Sequence, residues 1–148
     1  MRFLLDSDSL SDLYEPDAPG HAAIGRKIAS LQDVDQAYIS ILALYEAEYG
    51  YSNAPEWKKP AIRKRISDIR EDFEVLPLTL ASTGHFGSLK AGLSRIRRLN
   101  SKSSKLHNVD LMLAAMAVTE DCTLVSADSI YRDLQKINPM FSVENWLI

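Results

Sequence analysis

The sequence has a single cysteine, Cys122, among its 148 residues. It therefore has neither the cysteine pairs of a disulfide framework nor a zinc site built from several cysteines. Long apolar runs are also missing, because the longest, residues 111–118, is far shorter than the ~20 residues of a membrane-spanning helix. With no signal-peptide pattern at the start, these absences predict a cytoplasmic protein that does not enter a membrane.

A strong excess of either charge is absent too. The chain has 17 lysines and arginines against 20 acidic residues, a formal net charge of −3. This balance argues against a wholly basic nucleic-acid binder but leaves room for a local basic patch. No repeat or low-complexity linker divides the sequence, so we expect residues 1–148 to form one domain with its own hydrophobic core.

The start of the chain carries the clearest signal. Residues 1–5 form a short apolar run that stops at Asp6-Ser7-Asp8, which is typical of a strand buried on both faces and the turn after it. Ligands of parallel sheets bind at the carboxyl ends of the strands. An ionised Asp6 at such a position needs a partner to offset its lost hydration, and a divalent metal ion is the obvious candidate.

Three further carboxylates occupy comparable positions. Asp110 precedes the apolar segment 111–118, Asp128 follows an apolar strand candidate, and Glu46 lies within an apolar stretch. With Asp6 they make four carboxylates far apart in sequence, and we expect them to converge in one acidic pocket. Carboxylates in that number suit Mg²⁺ or Mn²⁺, which prefer oxygen ligands.

The spacing of apolar residues predicts strands that alternate with helices. Strands are expected at residues 1–5, 37–39, 74–77, 122–125 and 141–143. Helices are expected at residues 9–14, 21–31, 41–50, 60–73, 86–96, 110–121 and 130–136. The basic, serine-rich segment 97–105 is expected to be a loop. This alternation predicts an α/β fold, a three-layer α/β/α sandwich around a mostly parallel sheet of short strands.

In order and spacing, these motifs resemble the PIN-domain ribonucleases, and specifically the VapC-type toxins of toxin–antitoxin pairs. The resemblance covers almost the whole chain and is carried by LLDSD at 4–8, EAEYG at 46–50, NVDLMLAA at 108–115, LVSAD at 124–128 and VENW at 143–146. Each motif alone is weakly specific, whereas the set in this order is fairly specific.

The resemblance implies a PIN-like fold and hydrolysis of RNA phosphodiester bonds with Mg²⁺ or Mn²⁺ as cofactor. It implies that the catalytic residues are Asp6, Glu46, Asp110 and Asp128. Of these, the three aspartates would bind metal, and Ser7, Asp8 and Ser126 would orient them.

Two departures from the family pattern leave alternatives open. Asp8 stands where the family has asparagine, and it is either a helix N-cap or a group beside the metal ligands. The helical motif offers both Glu46 and Glu48, and Glu46 is preferred because it stands four residues before Gly50.

Basic residues are expected to hold the RNA by its phosphates. The candidates directly precede Asp110 in sequence and are Arg95, Arg97, Arg98, Lys102 and Lys105. A second cluster, residues 58–65, is either a solvated face or an RNA contact. Trp57 and Trp146 are interpreted as packing residues rather than platforms for bases.

Two other functions compete with the ribonuclease. The segment 4–8 also resembles the opening motif of haloacid-dehalogenase-type phosphohydrolases, which need a later lysine and a paired acidic motif. A PIN fold without turnover would instead be a binding module.

The resemblance further implies a cognate antitoxin as partner. The surface expected to bind it lies on the helices 41–50 and 60–73, with aromatic residues such as Tyr45, Tyr49 and Trp57. The same surface could instead bind a second copy of the chain in a homodimer.

Overall fold

The computed structural model, which describes all 148 residues, is built on a five-stranded sheet in which every neighbouring pair is parallel. The strands are β1 (Arg2–Leu5), β2 (Gln36–Ser40), β3 (Glu74–Leu76), β4 (Thr123–Val125) and β5 (Ser142–Glu144). Their order across the sheet is β3-β2-β1-β4-β5. This arrangement confirms the predicted parallel α/β fold with short strands.

Helices cover both faces of the sheet. They are α1 (Ser7–Tyr14), α2 (His21–Ser30), α3 (Ile41–Asn53), α4 (Lys59–Asp72), α5 (Thr83–Arg97), α6 (Ser101–Ser104), α7 (Asn108–Thr119) and α8 (Ile130–Ile137). Short 3₁₀ turns occupy residues 56–58, 80–82 and 105–107. None of these helices is long and apolar enough to cross a lipid bilayer.

Two hydrophobic layers follow from the alternation of side chains along the strands. On β1, Leu4 faces α5, α7 and α8, whereas Leu5 faces the side of the sheet covered by α1 to α4. Both leucines are fully buried, which explains why the first strand is a continuous apolar run. The helix α7 lies against the sheet and α5, so it is apolar on nearly all sides.

The strand order places a crevice beside β1. From β1 the chain builds β2 and β3 on one side, then returns through α5, α6 and α7 to form β4 on the other side. The carboxyl ends of β1 and β4 therefore meet where the order reverses, which is the usual ligand position in open parallel sheets. The backbone N–H of Asp6 donates to the carbonyl of Val125 at 3.1 Å and joins the two ends.

The structure corrects the prediction of a loop at residues 97–105. Helix α5 continues to Arg97 and ends with Arg98 in the left-handed conformation, at φ 52°. Asn100 then caps α6, because its side chain accepts the N–H of Ser103 while the Ser103 hydroxyl accepts the N–H of Asn100. Serine and asparagine favour caps as strongly as loops, and here they form a cap.

The structure also decides the sequence-based expectations for Asp8, Trp57 and Trp146. Asp8 is not a helix N-cap, since α1 begins one residue earlier than Asp8 and Asp6 caps it. Trp57 does not pack in the interior, because it lies in the turn before α4 and is 77% exposed. The expectation for Trp146 is confirmed, since this residue is only 3% exposed and its ring packs edge to face with the ring of Phe3, at a centroid distance of 5.1 Å.

Candidate active site

A small pocket of about 130 Å³ at the carboxyl ends of β1 and β4 brings the four predicted carboxylates together. Asp6 follows β1, Asp128 follows β4, Asp110 lies in the first turn of α7, and Glu46 lies in α3. The full lining is Asp6, Ser7, Asp8, Glu46, Val109, Asp110, Leu113, Asp128 and Tyr131. Five of these side chains are carboxylates, and none is a lysine, arginine or histidine.

Asp6 is the most buried of the acids, at 8% exposed. Its Oδ1 accepts the backbone N–H of Ser9 at 2.8 Å, which makes it the N-cap of α1 as well as a wall of the pocket. Burial raises the pKa of Asp6 above its ordinary value, although hydrogen bonds from Ser126 and Ser9 oppose the rise. The site therefore holds an acid whose negative charge is only partly stabilised by the protein.

Asp110 is half-buried between two side chains. The hydroxyl of Tyr131 donates to Oδ1 at 3.4 Å, and Nδ1 of His107 lies 4.0 Å from Oδ2. Burial raises the pKa of Asp110, and the charges of Asp128 and, more weakly, Asp6 raise it further. The carboxylates are thus close enough to repel one another, as expected for a site that lacks its own cation.

Two hydrogen bonds with residues close in sequence hold Asp128 in position. Its N–H donates to the hydroxyl oxygen of Ser126 at 3.1 Å, and its Oδ1 accepts the N–H of Ile130 at 3.0 Å as α8 begins. Ser126 is buried, and its hydroxyl oxygen fixes the backbone at the start of the turn that carries Asp128. The orienting role of Ser126 toward the metal ligands stays a prediction.

The two glutamates of α3 have different surroundings. Glu46 lines the pocket and forms no ion pair, although much of its side chain is exposed to solvent. The carboxylate of Glu48 accepts hydrogen bonds from both terminal guanidinium nitrogens of Arg63, at 2.7 and 3.0 Å, on the outside of the helix. The geometry thus places Glu46, and not Glu48, among the other three acids.

Two contacts in the site were missed by reasoning from the sequence. Ser7 lines the pocket, but it is Ser9 that hydrogen-bonds to Asp6, and Ser9 also donates its hydroxyl to the Val125 carbonyl. The Asp-x-x-Ser spacing of a capped helix could have indicated Ser9. Tyr131 resembles an ordinary core residue of α8, and only the packing of both α7 and α8 against α5 brings its hydroxyl to Asp110.

The predicted RNA-binding cations lie outside the pocket. None of Arg95, Arg97, Arg98, Lys102 and Lys105 is part of its lining. Arg97 donates its Nε–H to Asp133 of α8 at 2.9 Å, so its charge is already paired. The proposed contact of these residues with RNA stays a prediction.

The donor chemistry of the pocket fits a divalent cation. Several carboxylates with no facing cation give a hard oxygen site, and a bound ion would relieve the repulsion that adds to the effect of burial in raising the pKa of Asp110. No three acidic, histidine or cysteine side chains already stand close enough to enclose an ion. Carboxylates on the ends of separate elements would have to draw together around it.

Comparison with known proteins gives a consistent result. The family model described as PIN domain matches residues 3–137. The chain is 27% identical over 108 residues to "Ribonuclease VapC2" of Rickettsia felis, a match that covers 73% of this chain and 72% of that protein.

Solved structures are similar over nearly the full length. They include VapBC2 from Rickettsia felis bound to a promoter DNA fragment, with TM-score 0.77, 20% identity and 99% of both chains covered. VapBC-1 from nontypeable Haemophilus influenzae matches with a TM-score of 0.78 and 18% identity, and the match covers 100% of both chains. FitAcB from Neisseria gonorrhoeae matches with a TM-score of 0.76 and 17% identity, and the match covers 97% of both chains. At these identities the likeness shows the fold.

The alternative of a haloacid-dehalogenase-type phosphohydrolase is not supported. That chemistry needs a lysine beside its aspartates, and no lysine lines the pocket. The family match at residues 3–137 assigns the chain elsewhere.

Proposed function

The chain belongs to the PIN domain family, and we propose on that premise that it is a metal-dependent ribonuclease toxin of the VapC type, restrained by a cognate antitoxin. Residues 1–148 would act as a single nuclease domain. The observation that carries the proposal is the pocket in which carboxylates from four separate elements face one another without a cation. The ribonuclease name of the Rickettsia felis relative agrees with it.

The chain's own groups account for binding and proton transfer. Asp6, Asp110 and Asp128 would hold Mg²⁺ or Mn²⁺, which when bound would activate water and offset charge on the phosphate. The backbone N–H of Ser9 fixes the direction of the buried Asp6, and Ser126 would orient Asp128 by accepting its backbone N–H. Glu46 has no ion-pair partner, so its carboxylate is free to accept the proton of the attacking water.

The shape of the site is consistent with a polymeric substrate. Glu46 and Asp128 are exposed at its rim, while Asp6 is buried at its base. A strand can therefore lay one phosphodiester over the acids without being enclosed, and the basic residues predicted to contact RNA would act on flanking phosphates.

Cleavage of RNA by the purified chain tests the proposal. Asp6→Asn should lower Mg²⁺-dependent cleavage at least about a hundredfold, because it removes a ligand charge while the amide oxygen can still cap α1. Asp17→Asn, in an exposed turn, is the matched control and should cleave as the wild type does. Sequencing the RNA ends produced with and without EDTA gives the readout.

Other outcomes separate the competing functions. Full activity in Asp6→Asn would contradict the assignment of the pocket. Hydrolysis of a chromogenic phosphate ester without RNA cleavage would support a phosphohydrolase, and no turnover of either substrate would support a silent binding module.

A partner surface lies beside the pocket on α3, α4 and the turn between them. Tyr45 and Tyr49 of α3 and Trp57 of the turn are all largely exposed there. A groove of about 340 Å³ between α1, α3 and α4 shares Ser7, Asp8 and Glu46 with the acidic pocket. An amphipathic helix in this groove could extend a basic side chain to the carboxylates and displace a metal ion.

The partner proposal has two measurable parts. Light scattering should show a homodimer, and the product of the neighbouring gene should suppress cleavage when titrated into the assay. Joint Tyr49→Ala and Trp57→Ala changes should weaken at least one of these associations, whereas Leu80→Ala, equally exposed but on a different element, should not. A monomer at all concentrations would contradict the first part, and undiminished cleavage with excess partner would contradict the second.

A further inference from the structure

Tyr131 reaches the acidic pocket from the hydrophobic core. It stands three residues after Asp128 in the first turn of α8, and the whole residue is only 2% exposed. Its ring lies in the core layer of α5, α7 and α8, with the ring of Phe141 at a centroid distance of 6.0 Å. The ring is therefore fixed by packing, and Tyr131 is among the residues that line the pocket.

Packing alone does not explain this hydroxyl. A phenylalanine would fill the same core volume, and burying a hydroxyl costs free energy unless it is hydrogen-bonded. Its one hydrogen-bond partner in the structure is Oδ1 of Asp110, at 3.4 Å. That length is long for an O–H···O bond, so the contact is modest in strength and acts mainly on the direction of the carboxylate.

The surroundings make Tyr131 a donor. The polar lining of the pocket consists otherwise of carboxylates and the hydroxyl of Ser7. A phenol held among ionised carboxylates stays neutral and points its proton at one of them. With Oδ1 held by Tyr131, the second oxygen of Asp110 accepts no hydrogen bond, and Nδ1 of His107 lies 4.0 Å from it.

We propose that Tyr131 is a positioning residue whose hydroxyl holds one oxygen of Asp110 and leaves the other for a divalent cation. The inference rests on the proposed function, since it assigns Tyr131 a role toward the metal that Asp6, Asp110 and Asp128 would bind. Tyr131 acts through Asp110 and does not contact the reacting phosphate. Groups that orient a metal ligand in this way commonly change metal affinity by about 10–100-fold when removed.

The test is the binding of Mn²⁺ to the purified full chain, measured by isothermal titration calorimetry. Tyr131→Phe removes only the hydroxyl and should weaken Mn²⁺ binding by roughly tenfold, with an unchanged melting temperature in EDTA. Tyr14→Phe is the matched control, because it also removes a tyrosine–aspartate hydrogen bond, to Asp72, but at a site outside the pocket. Its affinity for Mn²⁺ should equal that of the wild type.

Cleavage assays distinguish positioning from direct action on the substrate. RNA cleavage by Tyr131→Phe should fall at limiting Mn²⁺ and return to the wild-type rate when Mn²⁺ is raised about tenfold. Lost cleavage with unchanged Mn²⁺ affinity would overturn the inference, because the hydroxyl would then act on RNA. Unchanged affinity and cleavage would overturn it while leaving the proposed function intact, whereas a wild-type chain that neither binds Mn²⁺ nor cleaves RNA would overturn both.

Discussion

The acidic pocket and the start of helix α4 are both rich in charged side chains, but their charges are arranged in opposite ways. Within residues 59–65 of α4 each of the four cations is matched by an acid: Lys59 by Glu56, Arg63 by Glu48, Lys64 by Asp68 and Arg65 by Glu15. In the pocket five carboxylates face one another and no cation lines the wall. The fold neutralises charge on the helix surface and leaves it unbalanced at the sheet edge.

That difference separates a surface from a site. Exposed ion pairs contribute little free energy, roughly 0–1 kcal/mol each, and are common on solvated helices. Carboxylates held together with part of their hydration removed oppose folding unless something binds to them. A ligand is therefore expected in the pocket, where the carboxylates are unpaired. The cations of α4 are already paired with acids, so they are expected to bind phosphate less strongly.

Replacing each of the two glutamates of α3 with glutamine, one at a time, is the most direct test of this difference between pocket and surface. Glu46→Gln should lower RNA cleavage about a hundredfold or more, because it removes the free carboxylate at the rim of the pocket. Glu48→Gln only weakens an exposed pair with Arg63 and should leave cleavage near normal. Initial rates measured at saturating Mg²⁺ test both, and equal losses in the two variants would contradict the assignment of Glu46.

Stability as a function of pH sharpens the same contrast in protein without metal. The folded state raises the pKa of Asp110, mainly through burial. The favourable contribution of Asp110 to the free energy of unfolding is therefore complete below its unfolded pKa, and it is lost as pH rises through its folded pKa. The pKa of Asp133 is lowered, mainly by its hydrogen bond from Arg97, so its contribution is present at neutral pH and is lost as pH falls. The two acids should therefore respond to pH with opposite signs.

Melting temperatures from pH 4 to 8 in EDTA measure this difference. Relative to the wild type, Asp110→Asn should melt increasingly higher as pH rises, by a few degrees at about 4 °C per kcal/mol for a chain of this size. Asp133→Asn should melt lower by a nearly constant amount above about pH 5, and this difference should shrink as pH falls to 4, since the stabilising effect of a lowered pKa is complete above the unfolded value. A difference between Asp110→Asn and the wild type that is independent of pH would show that folding does not perturb the Asp110 carboxylate.

Much of the fold and the position of the acids could be predicted because their signals are local. An apolar run ended by an acid marks both β1 with Asp6 and β4 with Asp128, and parallel strands bring such ends to one edge. The boundaries of the predicted elements agree with the observed ones to within a few residues. The four carboxylates accordingly lie together where the motif order placed them.

The remaining features depend on how helices pack, which a single sequence does not encode locally. Tyr131 has the pattern of a core residue, and its contact with Asp110 requires that α7 and α8 both pack against α5. The pairing of Arg97 with Asp133 likewise joins α5 to α8. The exposure of Trp57 depends on a turn that lies outside the apolar faces of both neighbouring helices.

The smallest expected effect concerns the basic residues at the end of α5, which were predicted as equivalent contacts for RNA. Arg98 is exposed and forms no ion pair, whereas Arg97 is committed to Asp133. Arg98→Ala should therefore weaken binding to many RNAs equally, and it should reduce the slope of log affinity against log salt by about 0.7 for one lost phosphate contact. Arg97→Ala should change this slope less and should lower the melting temperature slightly, because Asp133 keeps only Lys136 as a partner.

Salt titrations of RNA binding, performed in EDTA to prevent cleavage, provide the measurement. If the pairing of charges decides which cations contact phosphate, the slopes should rank wild type steepest, Arg97→Ala close behind and Arg98→Ala shallowest. Equal slopes in all three proteins would mean that this end of α5 is solvated in the complex, as the paired face of α4 is expected to be. A larger change for Arg97→Ala would mean that RNA displaces Asp133, so an ion pair present in the free protein would not exclude a phosphate contact.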